Sequence, residues 1–378
     1  MGLRFEVLAR DGAARRGRLE TPHGVVDTPA FMPVGTLGAV KGVPPHQLED
    51  LGASIMLANL YHLALRPSVE RIENLGGLHA FTGWNRPMIT DSGGFQVWSL
   101  AAMRTVDEDG VAFRSHVDGS PLRFTPEGVA DLQRRLGVDL AMMLDECPPW
   151  PAEREDVRSA GERTLRWARR AREHWSRKPG PGGLFAIVQG GVFRDLREAA
   201  AAELVELDFD GYAIGGVSVG EPEAERHGVV EWTAPLLPED RPRYLMGVGY
   251  PEDILHGVMH GIDLFDCVLP SRNARHGLLF TRQGPVKIKN ARYRDDPRPI
   301  EDGCPCPTCR RVSRAFVHHL FKCGEITGAV LATLHNLRHY LDFMEDLRQA
   351  LQSGALRELA ADRTAGPVAA SSAPAPSD

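Results

Sequence analysis

Five short apolar runs in this chain each give way to a polar side chain that can do chemistry. Residues 55–58 lead to Asn59, 87–90 to Asp91, 140–144 to Asp145, 184–188 to Gln189 and 264–265 to Asp266. A carboxylate can attack an electrophilic carbon or move a proton. An aspartate and a glutamine can make paired hydrogen bonds to the edge of a purine. A single aspartate after a strand is usually a turn or helix-cap residue. Three of them, each close to Gly, Cys or Pro and none in a capping box, point instead to one shared pocket.

Their neighbours extend the pattern. Asp91-Ser92-Gly93-Gly94-Phe95-Gln96 follows an acid with glycines that let a ligand approach the backbone, then a ring suited to stacking on a flat heterocycle. Gly215-Gly216 can add a backbone N–H, and Met246 can close the other face of a sandwiched base. For Phe95 and Met246, core packing is an equal reading. Asp266 leads into Ser271-Arg272-Asn273-Ala274-Arg275. A carboxylate beside phosphate-binding guanidiniums suits attack on a nucleotide sugar. Separately, Cys304, Cys306 and Cys309 can grip one tetrahedral ion in a structural site. A fourth ligand is required, and His318, His319, Cys323 and His335 all remain open by spacing.

The elements that must position these groups read as strands alternating with helices. Continuous apolar runs are strands buried on both faces, as in a parallel sheet. Helical patterns cover 46–51, 68–75, 126–136, 153–178, 194–207 and 222–237. Alternation from about 45 to 270 fits an α/β protein of the (β/α)8 TIM-barrel class, in which strand ends line one mouth. Residues 1–30 read as a short antiparallel lid, and 35–42 as a Gly-rich loop. The Pro-rich stretch 284–312 is irregular, and helices resume at 313–321 and 328–352. The expected organisation is a catalytic barrel over 1–363, with a zinc-binding subdomain over about 284–345 and a disordered tail over 364–378. The glycine pairs lack the dinucleotide spacing, which disfavours a nicotinamide cofactor.

Composition narrows the class. There is no run of 18 apolar residues and no apolar signal core at the N-terminus, so a cytoplasmic location and no membrane partner are expected. Six cysteines, three of them clustered, suit a reducing compartment. Net charge is −6, yet residues 272–314 hold eleven Lys and Arg against four acids. A basic stripe on an acidic body is a footprint for a polyanion. The Arg-rich stretch 153–178 has mixed signs at helical spacing and reads as an exposed barrel helix.

The motifs Asp91–Gln96, Asp145-Glu146-Cys147, Gln189-Gly190-Gly191, Gly247–Asp253, Phe265–Pro270 and Cys-x-Cys-x2-Cys stand in the order found in tRNA-guanine transglycosylases. The chain resembles bacterial members of that family over residues 1 to about 350. The resemblance implies a homodimeric TIM barrel that acts on tRNA, exchanging guanine at the wobble position of GUN anticodons for 7-aminomethyl-7-deazaguanine. It gives Asp266 the place of nucleophile and Asp91 that of general acid/base. Asp91, Ser92, Gly93, Gly94, Asp145, Gln189 and Gly216 fall among base-binding groups, with Phe95 and Met246 as stacking pair. Gly247, Val248, Gly249, Tyr250, Pro251, Glu252 and Asp253, with Ser271, Arg272, Asn273, Ala274 and Arg275, match tRNA-contacting loops. Cys304, Cys306, Cys309 and His335 match ligands of a structural Zn2+, which names His335 as the fourth. Val217 stands where many relatives carry Leu. Val219 and Cys147 match the bacterial form; the eukaryotic form is smaller at the former position, making room for queuine. Rival expectations are a barrel glycoside hydrolase, a non-catalytic tRNA-binding paralogue and a metal-dependent deaminase.

Overall fold

The computed structural model describes residues 2–96 and 104–364. Eight parallel strands form the central sheet: β4 (Ala30–Pro33), β5 (Met56–Ala58), β6 (Met88–Thr90), β10 (Leu140–Met142), β11 (Gly183–Val188), β12 (Gly211–Ile214), β13 (Arg243–Leu245) and β14 (Leu264–Cys267). Nearly every residue in them is buried, as continuous apolar runs require. Spatial order follows chain order, and β14 returns to pair with β4. A parallel bridge between Val34 and Leu57, with Gly35 N–H donating to the Leu57 carbonyl at 2.7 Å, closes the ring. The expected (β/α)8 barrel is the observed architecture.

Local sequence explains the barrel helices. Pro126–Leu136 starts with Thr125, whose side chain accepts from Gly128 N–H, and has Pro at its first position. It stops at Gly137, which adopts φ +74°. Helices at Arg154–Arg177, Arg194–Glu206 and Glu223–Thr233 fall where the 3.6-residue pattern placed them.

The antiparallel lid has three strands, β1 (Arg4–Asp11), β2 (Ala14–Thr21) and β3 (Gly24–Thr28), and it sits under the N-terminal ends of the barrel strands. Fully buried Arg15 reaches from it to Asp263, just before β14, and His23 N–H donates to Asp139, just before β10. A second three-stranded sheet, β7 (Arg104–Asp107), β8 (Gly110–Arg114) and β9 (Pro121–Phe124), is inserted between β6 and β10. The sequence reading missed it, because its outer strands are half-exposed and its central strand offers only the three apolar residues Val111, Ala112 and Phe113.

Two segments read as loops are corrected here. Pro251–Met259 is a helix with Pro at its first position, and so is Leu269–His276, which ends at Gly277 with φ +85°. Within them Asp253 and Ala274 are buried, as are Val248 and Gly249 just before the first. Asp253 is held by Arg226 and His227. Val248, Asp253 and Ala274 are therefore packed into the protein, as is Ser271.

Near the C-terminus a separate small core gathers Ala274, Leu279, Val286, Ile288, Tyr293, Ile300, Val317 and Ala332. The long helix Ile326–Ser353 serves both cores, because its later turns (Tyr340, Phe343, Met344, Leu347) pack on the barrel. The last helix ends at Thr364, and the rest of the tail expected to be disordered lies outside the described residues.

Candidate active site and metal cluster

Every acid singled out by its strand end lies at the C-terminal mouth of the barrel, and each is nearly buried. Two polar side chains behind the wall set the strand ends. Gln133 accepts from Thr90 Oγ1 at 2.9 Å and Met142 N–H at 2.8 Å, and donates to the Met142 carbonyl at 2.8 Å. It thereby ties the end of β6, next to Asp91, to the end of β10, three residues before Asp145. Arg197, fully buried, donates to the carbonyls of Gly191 and Gly215 at 2.6 and 2.9 Å, holding the turns after β11 and β12 together. Neither residue lies at a strand end, so strand-end reasoning passes over both.

Asp266 Oδ1 accepts the Tyr244 hydroxyl at 2.5 Å and Gly247 N–H at 2.7 Å. Both bonds fall on one oxygen, which leaves Oδ2 for another partner. Burial raises its pKa, and the two donors oppose that shift. Asp91 accepts Leu60 N–H at 2.9 Å and the Asn59 side-chain amide. Burial pushes its pKa up to about 7, against the donors Leu60 and Asn59 and with the help of the Asp266 charge. One carboxyl is thus poised near neutrality beside another that has strong donors, the pattern that separates acid from nucleophile.

Asp145 joins the same cluster. Its oxygens accept the Ser92 hydroxyl at 2.9 Å and the Gln189 amide N–H at 2.7 Å, and burial raises its pKa. Gln189 Oε1 is buried with no hydrogen-bond partner. A buried amide oxygen without a donor is costly unless a ligand supplies one. Glycine is required twice here. A Cβ at Gly94 would stand 2.7 Å from the Asp145 carbonyl oxygen, and one at Gly216, where φ is +63°, would stand 2.4 Å from Gln189 Oε1. Phe95 is 44% exposed on the rim and Met246 is half-buried after β13. Cys147 is a neutral thiol, its pKa pushed up to about 12 by burial and by the Asp145 charge. Glu221 escaped the sequence reading; its carboxylate accepts Ser218 N–H at 2.5 Å and Val219 N–H at 2.9 Å, fixing the turn after Gly216.

On the flank, the four residues Cys304, Cys306, Cys309 and His335 converge. The three Sγ atoms lie 3.7, 3.7 and 3.4 Å from His335 Nδ1. The S···N edge of a tetrahedron around Zn2+ is about 3.6 Å for ordinary bond lengths. His335 donates Nε2–H to the Phe280 carbonyl at 2.7 Å, which leaves the lone pair on Nδ1. Cys309 N–H donates to Cys306 Sγ at 3.2 Å, a bond that favours a thiolate. The donor set fits a closed metal site. His318 lies outside this cluster, with its Nδ1 bonded to the Ile288 carbonyl at 2.8 Å. The basic stripe lies on this flank, with Lys287, Lys289, Arg292, Arg294, Arg310 and Arg311 exposed.

A parallel barrel with three buried carboxylates at its mouth and a Cys3His cluster at its side has the form of an enzyme. The profile of the family described as "Queuine tRNA-ribosyltransferase" matches residues 11–366. A queuine tRNA-ribosyltransferase of Desulforudis audaxviator is 54% identical over 353 residues, 93% of this chain and 95% of that protein. One from Aromatoleum aromaticum is 53% identical over 96% of this chain and all of its own length. One from Cereibacter sphaeroides is 53% identical over 94% and 95%. The chain belongs to the queuine tRNA-ribosyltransferase family, and is thus a tRNA-guanine transglycosylase, a pentosyltransferase.

Proposed function

We propose that the protein replaces guanine at the wobble position of GUN-anticodon tRNAs with 7-aminomethyl-7-deazaguanine, by double displacement at the ribose. Asp266 Oδ2 attacks C1′ from the face opposite the base. The C1′–N9 bond breaks, its electron pair stays with guanine, and Asp91 supplies the proton. The product is a ribosyl ester of Asp266. The incoming base then gives a proton to Asp91 and attacks C1′, and Asp266 leaves as a carboxylate. Two inversions retain configuration, as in retaining glycosidases.

The observation that carries this reading is the unequal pair: Asp266 braced by Tyr244 and Gly247, and Asp91 raised to about 7 beside it. The Asp145–Gln189 pair suits the polar edge of the base, with Gln189 Oε1 accepting an N–H. Ser92, Gly93, Gly94 and Gly216 lie where the backbone can approach that base, and Phe95 and Met246 supply its stacking faces. In this reading tRNA lies across the mouth and the basic flank. Its contacts fall on Gly247, Tyr250, Pro251 and Glu252 and on Ser271, Arg272, Asn273 and Arg275. Cys304, Cys306, Cys309 and His335 hold a structural Zn2+ that braces the subdomain over about 284–345; the ion supplies fold stability and no reacting group. We also take the protein to work as a homodimer in the cytoplasm.

The test is capture of the intermediate. Unmodified tRNA incubated with the protein and quenched in denaturant should give a tRNA–protein adduct that Asp266→Asn abolishes. An adduct that survives this substitution refutes the assignment.

A further inference from the structure

Away from the mouth, ionisable side chains gather on two neighbouring outer helices. His227 and Glu231 lie four residues apart on Glu223–Thr233, and His256 and His260 four apart at the end of Pro251–Met259. A four-residue step puts both members on one helix face. One donor atom from each of Glu231, His256 and His260 lies within 4.8 Å of the other two. His256 Nε2 stands 3.6 Å from Glu231 Oε1 and 3.4 Å from the His227 carbonyl oxygen, a long bond that it would give up to an ion joining it to Glu231. His260 Nδ1 is 2.8 Å from the His256 carbonyl oxygen. Its N–H is donated there, and the lone pair stays on Nε2. Metal-binding histidines are oriented in this way, with the other ring N–H committed to the backbone. His227 stacks on His256 at 3.9 Å and bonds Asp253 at 2.8 Å, which fixes the wall behind the group.

We propose that Glu231, His256 and His260 form a second metal site, which takes one borderline divalent ion of the Zn2+ type with water completing its shell. Two imidazoles and one carboxylate suit such an ion far better than Mg2+ or Ca2+, which need all-oxygen cages. A second histidine–carboxylate group, His23, His79 and Asp139, differs in build. Its rings stack at 3.5 Å and 16°, and near-parallel imidazoles at that spacing cannot both aim lone pairs at one ion. Its carboxylate is also committed to the N–H groups of His23 and Met88. In the proposed site the His256 and His260 rings are tilted by 38°. The helix that carries His256 and is capped by His260 starts at the mouth after β13 and ends four residues before Asp263, so the ion would clamp two outer helices at the end away from Asp266.

The test uses the whole protein with its Cys3His cluster loaded with zinc. After dialysis against micromolar Zn2+, the wild type should hold two ions per chain and His260→Ala one. Glu231→Gln should weaken the second ion by roughly tenfold. Added Zn2+ should raise the melting temperature of the wild type and not of His260→Ala. In a Co2+ titration the second ion should add no thiolate charge-transfer band. One ion per chain in the wild type overturns the proposal, as does a second ion kept by His256→Ala/His260→Ala. A second ion with a thiolate band also overturns it, because that places the metal at Cys323 and His319. If His260→Ala does not fold, Glu231→Gln, at an exposed position, carries the same measurement.

Discussion

The two ends of the barrel treat buried aspartates in opposite ways. At the N-terminal floor, Asp263 receives the Arg15 guanidinium and Arg243 N–H, and Asp139 receives two backbone N–H groups and two histidines. Burial alone would raise the Asp139 pKa, but the His79 and Met88 donors hold it below the ordinary carboxylate value. At the C-terminal mouth, Asp91, Asp145 and Asp266 are equally buried, no cation forms an ion pair with them among the described residues, and all three are shifted upward. A fully satisfied acid is structure. An under-satisfied one stores the chemical potential that a reaction uses.

Substitution at the two ends should therefore break different things. The largest effect on rate belongs to Asp266→Asn, expected to cut guanine exchange by about 10^4-fold or more, the scale for loss of a nucleophile. Its melting temperature should not fall. A rate within tenfold of wild type, measured by radiolabelled guanine incorporation, would break the comparison at the mouth. Asp263→Asn should do the reverse, costing about 3–5 kcal/mol in denaturant unfolding because Arg15 is left charged and buried, while kcat in the folded protein stays near wild type.

Asp91 and Asp139 should also answer pH with opposite signs, whereas Asp263 at the floor is raised by burial in spite of Arg15, as the mouth acids are. In the proposed reaction Asp91, raised to about 7, is protonated when it expels guanine, so kcat/KM should fall tenfold per unit above pH 7. The same shift makes Asp91 a stability cost that grows as pH rises from its unfolded value towards 7. Asp91→Asn should therefore be the more stable protein at pH 8, and an unchanged melting temperature there would count against the shift. Asp139 contributes stability that is present above its unfolded pKa and lost as pH falls through its depressed folded value.

A smaller version of the contrast lies on the surface. Arginines of Arg154–Arg177 are largely neutralised by the protein's own acids, such as Arg169 by Glu203 and Arg166 by Glu108. Arg310 and Arg311 are exposed with no ion pair among the described residues. Arg311→Ala should flatten the salt dependence of tRNA binding by roughly one counterion, and Arg169→Ala should leave it unchanged. Equal slopes would show that pairing does not decide which arginines meet RNA.

Legibility in the sequence followed burial and periodicity. The strands before Asn59, Asp91, Asp145, Gln189 and Asp266 were readable because both faces are buried and the apolar runs are unbroken. Helix 126–136 was readable from Thr125, Pro126 and Gly137. Helices 251–259 and 269–276 were not, because the glycines and prolines around them look like turn residues; Pro251 at a helix start was the signal available. Asn59 was noticed only as a strand end, and Tyr244 and Glu221 not at all, since a polar residue declares its partner only after distant strands are brought together. His335 could not be chosen from four candidates by spacing, because its place depends on a helix that spans two cores.

The strand-turn-strand cap beneath the barrel has a kinetic meaning. Among the described residues the buried Arg15–Asp263 pair closes the floor, so in the proposed reaction the outgoing purine and its replacement share the mouth, with a nucleic acid across it. Traffic must then alternate: the first base departs before the second arrives. The proposed ester to Asp266 would keep the RNA from drifting off during the interval.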